Sequence, residues 1–173
     1  MNIILSEQQI SLTVKRLATQ ILENNNNLKN TVIIGLQPRG VFLSDRIVAE
    51  LKNSVSAEII QYGKLDITFY RDDVRKSLHI ANQTDISFSI EGKNVVLIDD
   101  VLYTGRTIRA ALDALLDFGR PGKVSLCVLI DRRFSRELPI QPDFSGKAID
   151  TIFTDKVKVN WREKDEKDEV VLL

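Results

Sequence analysis

An α/β fold with a mainly parallel central sheet is predicted for these 173 residues by three observations. Short apolar runs alternate along the chain with segments of helical period, the order that lays helices against a parallel sheet. The runs Val95-Val96-Leu97-Ile98 and Leu126-Cys127-Val128-Leu129-Ile130 are apolar throughout, which suits strands buried on both faces rather than half-solvated ones. Each of these runs leads into charged residues, where open α/β sheets bind ligands beyond their strand ends. The length supports one sizeable domain, 1–173, rather than two.

The elements follow in order. Ser6 with Gln9 three residues on is a helix N-cap signature, and Ile10, Val14, Leu17, Ala18, Ile21 and Leu22 continue at helical spacing until the asparagines at 24–27 stop them. Thr31–Leu36 is the first buried strand, 37–40 a tight loop and 41–51 the second helix. Segments 56–62 and 65–70 have strand character interrupted by Gly63. About 71–93 is polar, charged and aperiodic; a connection that long inside a compact domain is usually a lid or binding loop, so a flap is expected there. Ile108, Ala110, Ala111, Leu112, Ala114, Leu115 and Leu116 give a third helix with a broad apolar face, and 123–130 a further strand ending at Asp131-Arg132-Arg133. Beyond Phe134 the period weakens; short strands at 152–153, 157–161 and 170–173 are expected to make a small hood, mainly within 134–173.

Composition removes several functions. Lys plus Arg equals Asp plus Glu at 24 each, so no overall basic field draws the chain to nucleic acid, and any such site must be a local patch. No apolar run reaches membrane-spanning length and no leader is visible, so no membrane partner and a cytoplasmic location are expected. The single cysteine, Cys127, sits within a strand run and offers neither a disulfide nor a cysteine metal site. The single histidine, His79, lies in the polar loop and is assigned no catalytic role.

The densest chemistry lies at 95–107. Asp99 and Asp100 close an apolar strand, and Val101, Leu102 and Tyr103 lead into Thr104-Gly105-Arg106-Thr107, which opens the third helix. A helix start carries unpaired N–H groups and partial positive charge, so an anion docked there gains hydrogen bonds and dipole energy together. Gly105 permits close backbone approach, and Thr104 and Thr107 add hydroxyl donors. The two aspartates can accept from sugar hydroxyls or hold Mg²⁺ through bound water, and two adjacent aspartates alone would equally suit a solvated strand end or a helix cap. With the turn beside them, the reading is a cradle for a sugar phosphate.

That string resembles the phosphoribosyl pyrophosphate (PRPP) motif of type I phosphoribosyltransferases. From first helix to tail the chain further resembles the PyrR family, pyrimidine-operon attenuation regulators that are also uracil phosphoribosyltransferases. The added segments are Gly35-Leu36-Gln37-Pro38-Arg39-Gly40, Asp66-Ile67-Thr68-Phe69-Tyr70-Arg71-Asp72-Asp73 and Arg136-Glu137-Leu138-Pro139-Ile140. The resemblance implies the type I phosphoribosyltransferase fold with a hood and a flexible catalytic loop. It implies transfer of 5-phosphoribosyl from PRPP to uracil, giving UMP and pyrophosphate, with Mg²⁺. Pro38, Arg39 and Gly40 then belong to a pyrophosphate loop, where Arg39 offers a fork of donors beside open backbone. Arg71, with Arg75 sharing the work, is a flap cation closing on pyrophosphate, whereas a charged loop tip is by itself also an ordinary solvated face. Asp99 and Asp100 grip the ribose diol, Thr104, Gly105, Arg106 and Thr107 anchor the 5′-phosphate, and Val101, Leu102 and Tyr103 belong to the same PRPP- and nucleotide-binding run.

Asp131 and Arg132 are candidates to contact the base, although their charges can equally pair on the surface. Purine-specific relatives have an aspartate where Tyr103 stands; a tyrosine is consistent with a pyrimidine, and also with plain packing. The family binds operon leader RNA when loaded with UMP, for which Lys15, Arg16, Arg136 and Lys147, with Arg132 and Arg133, could form a basic face in a dimer or larger homo-oligomer. The run 131–136 is one residue longer than the usual family pattern. Two rival readings stay open: a regulator that uses the pocket only as a nucleotide sensor, and a phosphoribosyltransferase for another base.

Overall fold

A computed structural model describes residues 2–71, 81–152 and 155–173. Its core is a sheet of five strands, β2 (Thr31–Leu36), β3 (Gln61–Leu65), β4 (Asn94–Leu102), β5 (Lys123–Arg133) and β6 (Phe144–Asp150). They lie in the order β3-β2-β4-β5-β6, every neighbouring pair parallel. Two helices, α1 (Glu7–Asn24) and α2 (Gly40–Leu51), cover one face, and α3 (Arg106–Leu115) covers the other. Alternate side chains serve the two layers: Ile33, Val96, Ile98, Cys127 and Leu129 pack toward α1 and α2, while Val32, Ile34, Val95, Leu97 and Val128 pack toward α3. Both faces being covered is why these strands read as unbroken apolar runs.

A second, antiparallel sheet forms the hood, in the order β1-β8-β7, with β1 (Asn2–Leu5), β7 (Val157–Asn160) and β8 (Glu169–Leu172), and a single turn, α4 (Arg162–Asp165). Trp161 fastens it to the core. The indole is fully buried, lies 6.3 Å from the Phe42 ring and sits under the Arg46 guanidinium at 4.5 Å. Arg46 is held in turn by Asp168 at 2.8 Å and Glu163 at 3.0 Å. A cation on a desolvated indole face adds of order 1–2 kcal/mol to the apolar burial.

The architecture corrects three expectations. The two strand segments at 56–62 and 65–70 are one strand, β3, flanked by short 3₁₀ turns at Ala57–Ile59 and Thr68–Tyr70. Gly63 does not interrupt it but pairs with Ile34, and its missing side chain lets the chain at Asp85 come close: Lys64 and Asp85 exchange two backbone hydrogen bonds of 2.8 Å. Segment 134–173 is not all hood, because β6 is the edge strand of the main sheet, and the hood instead recruits β1 from the other end of the chain. Ile152 lies outside any strand, and Phe153 lies outside the described residues. Within the segment 71–93 expected to be a flap, Ile86 and Phe88 pack on the α3-side core and Ile90 is fully buried, so 86–90 belong to the body of the fold. Asp72, Asp73, Arg75 and His79 lie outside the described residues. Among the described residues no helix is long and apolar enough to cross a membrane.

Candidate active site

Chain order reverses between β2 and β4. The connection from β2 runs outward to β3, and the chain returns to the other side of β2 to enter β4, which opens a crevice at the carboxyl ends of those two strands. Arg39 and Gly40 follow β2, and Asp99 and Asp100 close β4, so both predicted groups face one crevice.

Gly40 fits there because nothing larger could. A Cβ at this position would stand 2.6 Å from the Ile98 carbonyl and 2.9 Å from Asp99 Cα, so the start of α2 lies directly against the acid pair. Arg39 Nε then reaches Asp100 Oδ2 at 3.3 Å. Its Nη2 donates to the Val159 carbonyl of β7 and lies 3.4 Å from Asp165 Oδ2, so one guanidinium spans the acid pair and the hood. Asp99 and Asp100 are each 8% exposed, and Asp99 Oδ1 accepts the Asp100 amide at 2.9 Å. Burial pushes both carboxyls above the usual range. Asp99 goes further, because Asp100 repels its charge while Arg71 only partly offsets that; at Asp100 the Arg39 guanidinium is the largest opposing influence. Charge held back by desolvation is charge available to a ligand that brings donors or a cation.

The second half of the site is a recess of about 320 Å³ lined by Arg71, Val101 to Ile108 and Glu137. Gly105 takes φ +95°, the left-handed region that only glycine enters easily, and caps α3 with no side-chain hydrogen bond. Arg39 caps α2 likewise without a side-chain bond. α1, remote from the crevice, carries a full capping box in which Ser6 accepts the Gln9 amide and Gln9 accepts the Ser6 amide. Neither N-cap residue of the two helices that open on the site supplies a side-chain acceptor, although at α3 the Arg106 amide donates to Thr104 Oγ1 at 3.3 Å and at α2 the Phe42 amide to the Arg39 carbonyl at 3.2 Å. Arg71 enters from the end of the Thr68–Tyr70 turn, which Asp66 pins by accepting the Thr68 and Asn82 amides.

Other predicted residues have different places. Arg132 is 5% exposed and donates to Thr151 Oγ1 at 3.0 Å and to the Asp155 carbonyl at 2.9 Å, with its guanidinium 3.9 Å over the Tyr103 ring. Asp131 is ion-paired with Arg136. Both residues expected to contact the base thus have protein partners. Of the residues expected on RNA, Arg136 is turned inward onto Asp131 and backbone carbonyls. Arg16 covers the Ser145 and Gly146 carbonyls of β6, at 3.3 and 2.6 Å, since an edge strand needs its carbonyls satisfied. Lys147 reaches the Ile4 carbonyl at 3.2 Å, and Lys15 is exposed on α1. Lys15, Arg16, Arg133 and Lys147 remain exposed, whereas Arg132 is buried and Arg136 is turned inward. Val159, Asp165 and Glu137 went unpredicted; they reach the site through tertiary contacts that local pattern does not carry.

Among the described residues there is no group of three or more His, Cys, Asp or Glu able to hold a metal ion. Two adjacent hard carboxylates fit Mg²⁺ only as part of a shared shell, with substrate oxygens and water completing it.

A phosphoribosyl transferase domain model matches residues 1–165. Curated relatives called bifunctional protein PyrR align over nearly the whole chain. That of Chloroflexus aurantiacus is 48% identical over 172 residues, covering 98% of this chain and 93% of its own length. Those of a Picosynechococcus species and of Latilactobacillus sakei are 46% and 47% identical over 171 residues, covering 98% and 94% of this chain and 96% and 94% of their own lengths. The chain belongs to the PyrR family of phosphoribosyltransferases. The fold agrees: hypoxanthine phosphoribosyltransferases of Staphylococcus aureus and Trypanosoma cruzi superpose with TM-scores of 0.72 and 0.74 at 20% and 18% identity. They cover 98% and 99% of this chain and 90% of each of theirs. This PyrR-family chain therefore has the type I phosphoribosyltransferase fold expected from its sequence, with the acid pair and the small-residue turn at the sheet's switch point.

Proposed function

We propose that the protein transfers 5-phosphoribosyl from PRPP to uracil, giving UMP and pyrophosphate, and that it regulates pyrimidine-operon expression by binding leader RNA in response to UMP. The observation that carries the catalytic part is the convergence, in one crevice, of Arg39, the buried Asp99–Asp100 pair and the 104–107 turn. The PyrR relatives support the choice of a pyrimidine base, as does Tyr103, which offers no carboxylate to a purine imidazole edge.

The turn at Thr104, Gly105, Arg106 and Thr107 binds the 5′-phosphate with backbone amides and hydroxyls. Asp99 and Asp100 accept from the ribose 2′- and 3′-hydroxyls and fix the sugar, so that remote binding positions C1′. The C1′–oxygen bond to pyrophosphate breaks ahead of bond formation to uracil N1, and the N1 proton leaves to the departing pyrophosphate or to water as that bond forms. Positive charge develops at C1′ and the ring oxygen near the two carboxylates, and the negative charge gathering on the leaving oxygens meets Arg39 and Arg71. Asp99 and Asp100 would hold Mg²⁺ through water as part of a shell shared with the substrate, and the ion would supply further neutralisation of the leaving group's charge. Base recognition falls to Asp131 and Arg132 at the β5 end together with backbone groups of the hood. The protein works in the cytoplasm as a homodimer or larger homo-oligomer.

Incubation of the purified chain with PRPP, Mg²⁺ and a panel of bases tests the reaction: UMP formation is expected with uracil and not with hypoxanthine or guanine. Absence of UMP, with UMP still bound, would favour a pure nucleotide sensor. Binding of a pyrimidine-operon leader transcript with and without UMP tests the regulatory part.

A further inference from the structure

We infer that Arg136 is a positioning residue for the phosphate cradle, holding the carbonyls of the 102–104 turn on one side so that the following amides are presented on the other. The inference rests on the phosphoribosyl reading of that turn.

Arg136 belongs to the β5–β6 connection, and its side chain is 20% exposed. Its Nη1 donates to the Tyr103 carbonyl, to the Leu102 carbonyl at 3.4 Å and to the Arg132 carbonyl at 3.2 Å. Its Nε donates to the Ile140 carbonyl at 2.8 Å, and its Nη2 to Asp131 Oδ1. The next carbonyl of the turn, Thr104, accepts from the amides of Glu137 and Leu138 at 3.0 and 3.2 Å. Three consecutive carbonyls, 102 to 104, are thus taken by 136–138.

A trans peptide aims its N–H opposite to its C=O. Fixing those three carbonyls therefore turns the amides of Tyr103, Thr104 and Gly105 away from the carbonyl-binding groups of 136–138, and all three residues line the recess, with the rest of 101–108, Arg71 and the Glu137 side of the connection completing its wall. A guanidinium at the carbonyl end also polarises each peptide in the sense that makes its amide a better donor to an anion. Packing enforces the arrangement: a Cβ on Gly105 would stand 3.3 Å from Leu138 Cβ and from Ile140 Cδ1. From the same segment Glu137 holds Arg106 at 2.6 Å. Lysine could not do this, because the brace needs a planar fork serving four carbonyls and a carboxylate at once. Asp131 is then the counter-charge that keeps the fork in place.

The test separates the two ends of the substrate. Calorimetric titration of the full chain with ribose 5-phosphate and, separately, with pyrophosphate compares wild type, Arg136→Lys and Asp131→Asn. Ribose 5-phosphate affinity is expected to fall about tenfold or more in Arg136→Lys and about threefold in Asp131→Asn, while pyrophosphate affinity stays within about twofold. Millimolar methylguanidinium is expected to recover part of the ribose 5-phosphate affinity of Arg136→Ala, which a merely structural loss would not allow. Unchanged ribose 5-phosphate affinity in a folded Arg136→Lys overturns the inference, as does an equal loss for pyrophosphate, which would make Arg136 a leaving-group contact. If Arg136→Lys does not fold, Asp131→Asn decides by the same criterion. Wild type that binds ribose 5-phosphate but makes no UMP defeats the uracil reading and leaves the brace standing, whereas wild type that binds neither probe defeats both.

Discussion

Gly40→Ala adds one methyl group at the point where the β2 loop meets the acid pair. The new Cβ would lie 2.6 Å from the Ile98 carbonyl, 2.9 Å from Asp99 Cα and 3.0 Å from Asp99 Oδ1. Two of those three atoms are backbone in the central strand, so no rotamer change relieves the clash. Reaching ordinary contact at 3.4 Å requires the α2 start and β4 to part by about 0.8 Å. Overpacking of this kind costs ~1–3 kcal/mol, and for a domain of this size ~2–4 °C of melting temperature per kcal/mol. The functional cost is larger in proportion, because Arg39 and the carboxylates must address one substrate together, and a displacement approaching 1 Å costs up to ~100-fold in rate. We expect kcat/KM for PRPP to fall by ~10- to 100-fold while the far-ultraviolet circular dichroism stays native. Scanning calorimetry and initial-rate assays on the same preparation check both. A variant with wild-type melting and wild-type kcat/KM would refute the claim that this glycine seats the pyrophosphate loop on Asp99.

The acid pair gives two further expectations. Asp100→Asn should retain the fold and lose ~100-fold or more in turnover, measured as UMP formed per enzyme; wild-type turnover would remove Asp100 from the site. Asp99→Asn should raise the melting temperature at neutral pH. A carboxyl whose value is raised by folding carries no penalty below the ordinary carboxylate range, acquires one as pH climbs toward its folded value, and keeps it above. The stabilisation should therefore vanish in calorimetric scans below the ordinary carboxylate range, and a gain independent of pH would disprove its electrostatic origin. Arg39→Lys should raise the KM for PRPP by ~10-fold with the KM for uracil nearly unchanged; equal rises would place Arg39 elsewhere in the reaction. Trp161→Ala should cost ~3–5 kcal/mol in urea unfolding followed by circular dichroism, since it removes both the hood's anchor and the Arg46 stack; a loss under ~1 kcal/mol would show the hood held by its strands alone.

The elements that were legible from sequence are those whose signal is local. α1 announces itself through Ser6, Gln9 and a clean apolar stripe, and β2, β4 and β5 through runs that a doubly covered sheet demands. The 104–107 turn is legible because its glycine, hydroxyls and following helix are contiguous. β1 and β6 were not, because each depends on a distant partner: β1 pairs with β8 across the whole chain, and the burial pattern of β6 carries only one buried residue, Phe144. Gly63 misled for the same reason, since the backbone it admits comes from Asp85. Charged residues were the hardest to place, because an arginine in sequence does not reveal whether solvent, a ligand or a carbonyl takes its donors.

That ambiguity resolves into a pattern across the structure. Arg16, Arg39, Arg46, Arg132 and Arg136 each join two elements that are far apart in the chain, and four of the five do so by donating to backbone carbonyls of another element or connection. A sheet with ligand loops at one end leaves carbonyls at its strand ends and edge that no neighbouring strand can satisfy, and a guanidinium with five donors closes several at once. Arg39 alone combines this task with a place in the crevice. Its donors hold the Val159 carbonyl, Asp165 and Asp100 together, so an incoming pyrophosphate competes with the hood for the same fork. Binding there must be accompanied by rearrangement of the Arg39–hood contacts, and the strength of those contacts sets how much of the intrinsic pyrophosphate affinity is realised.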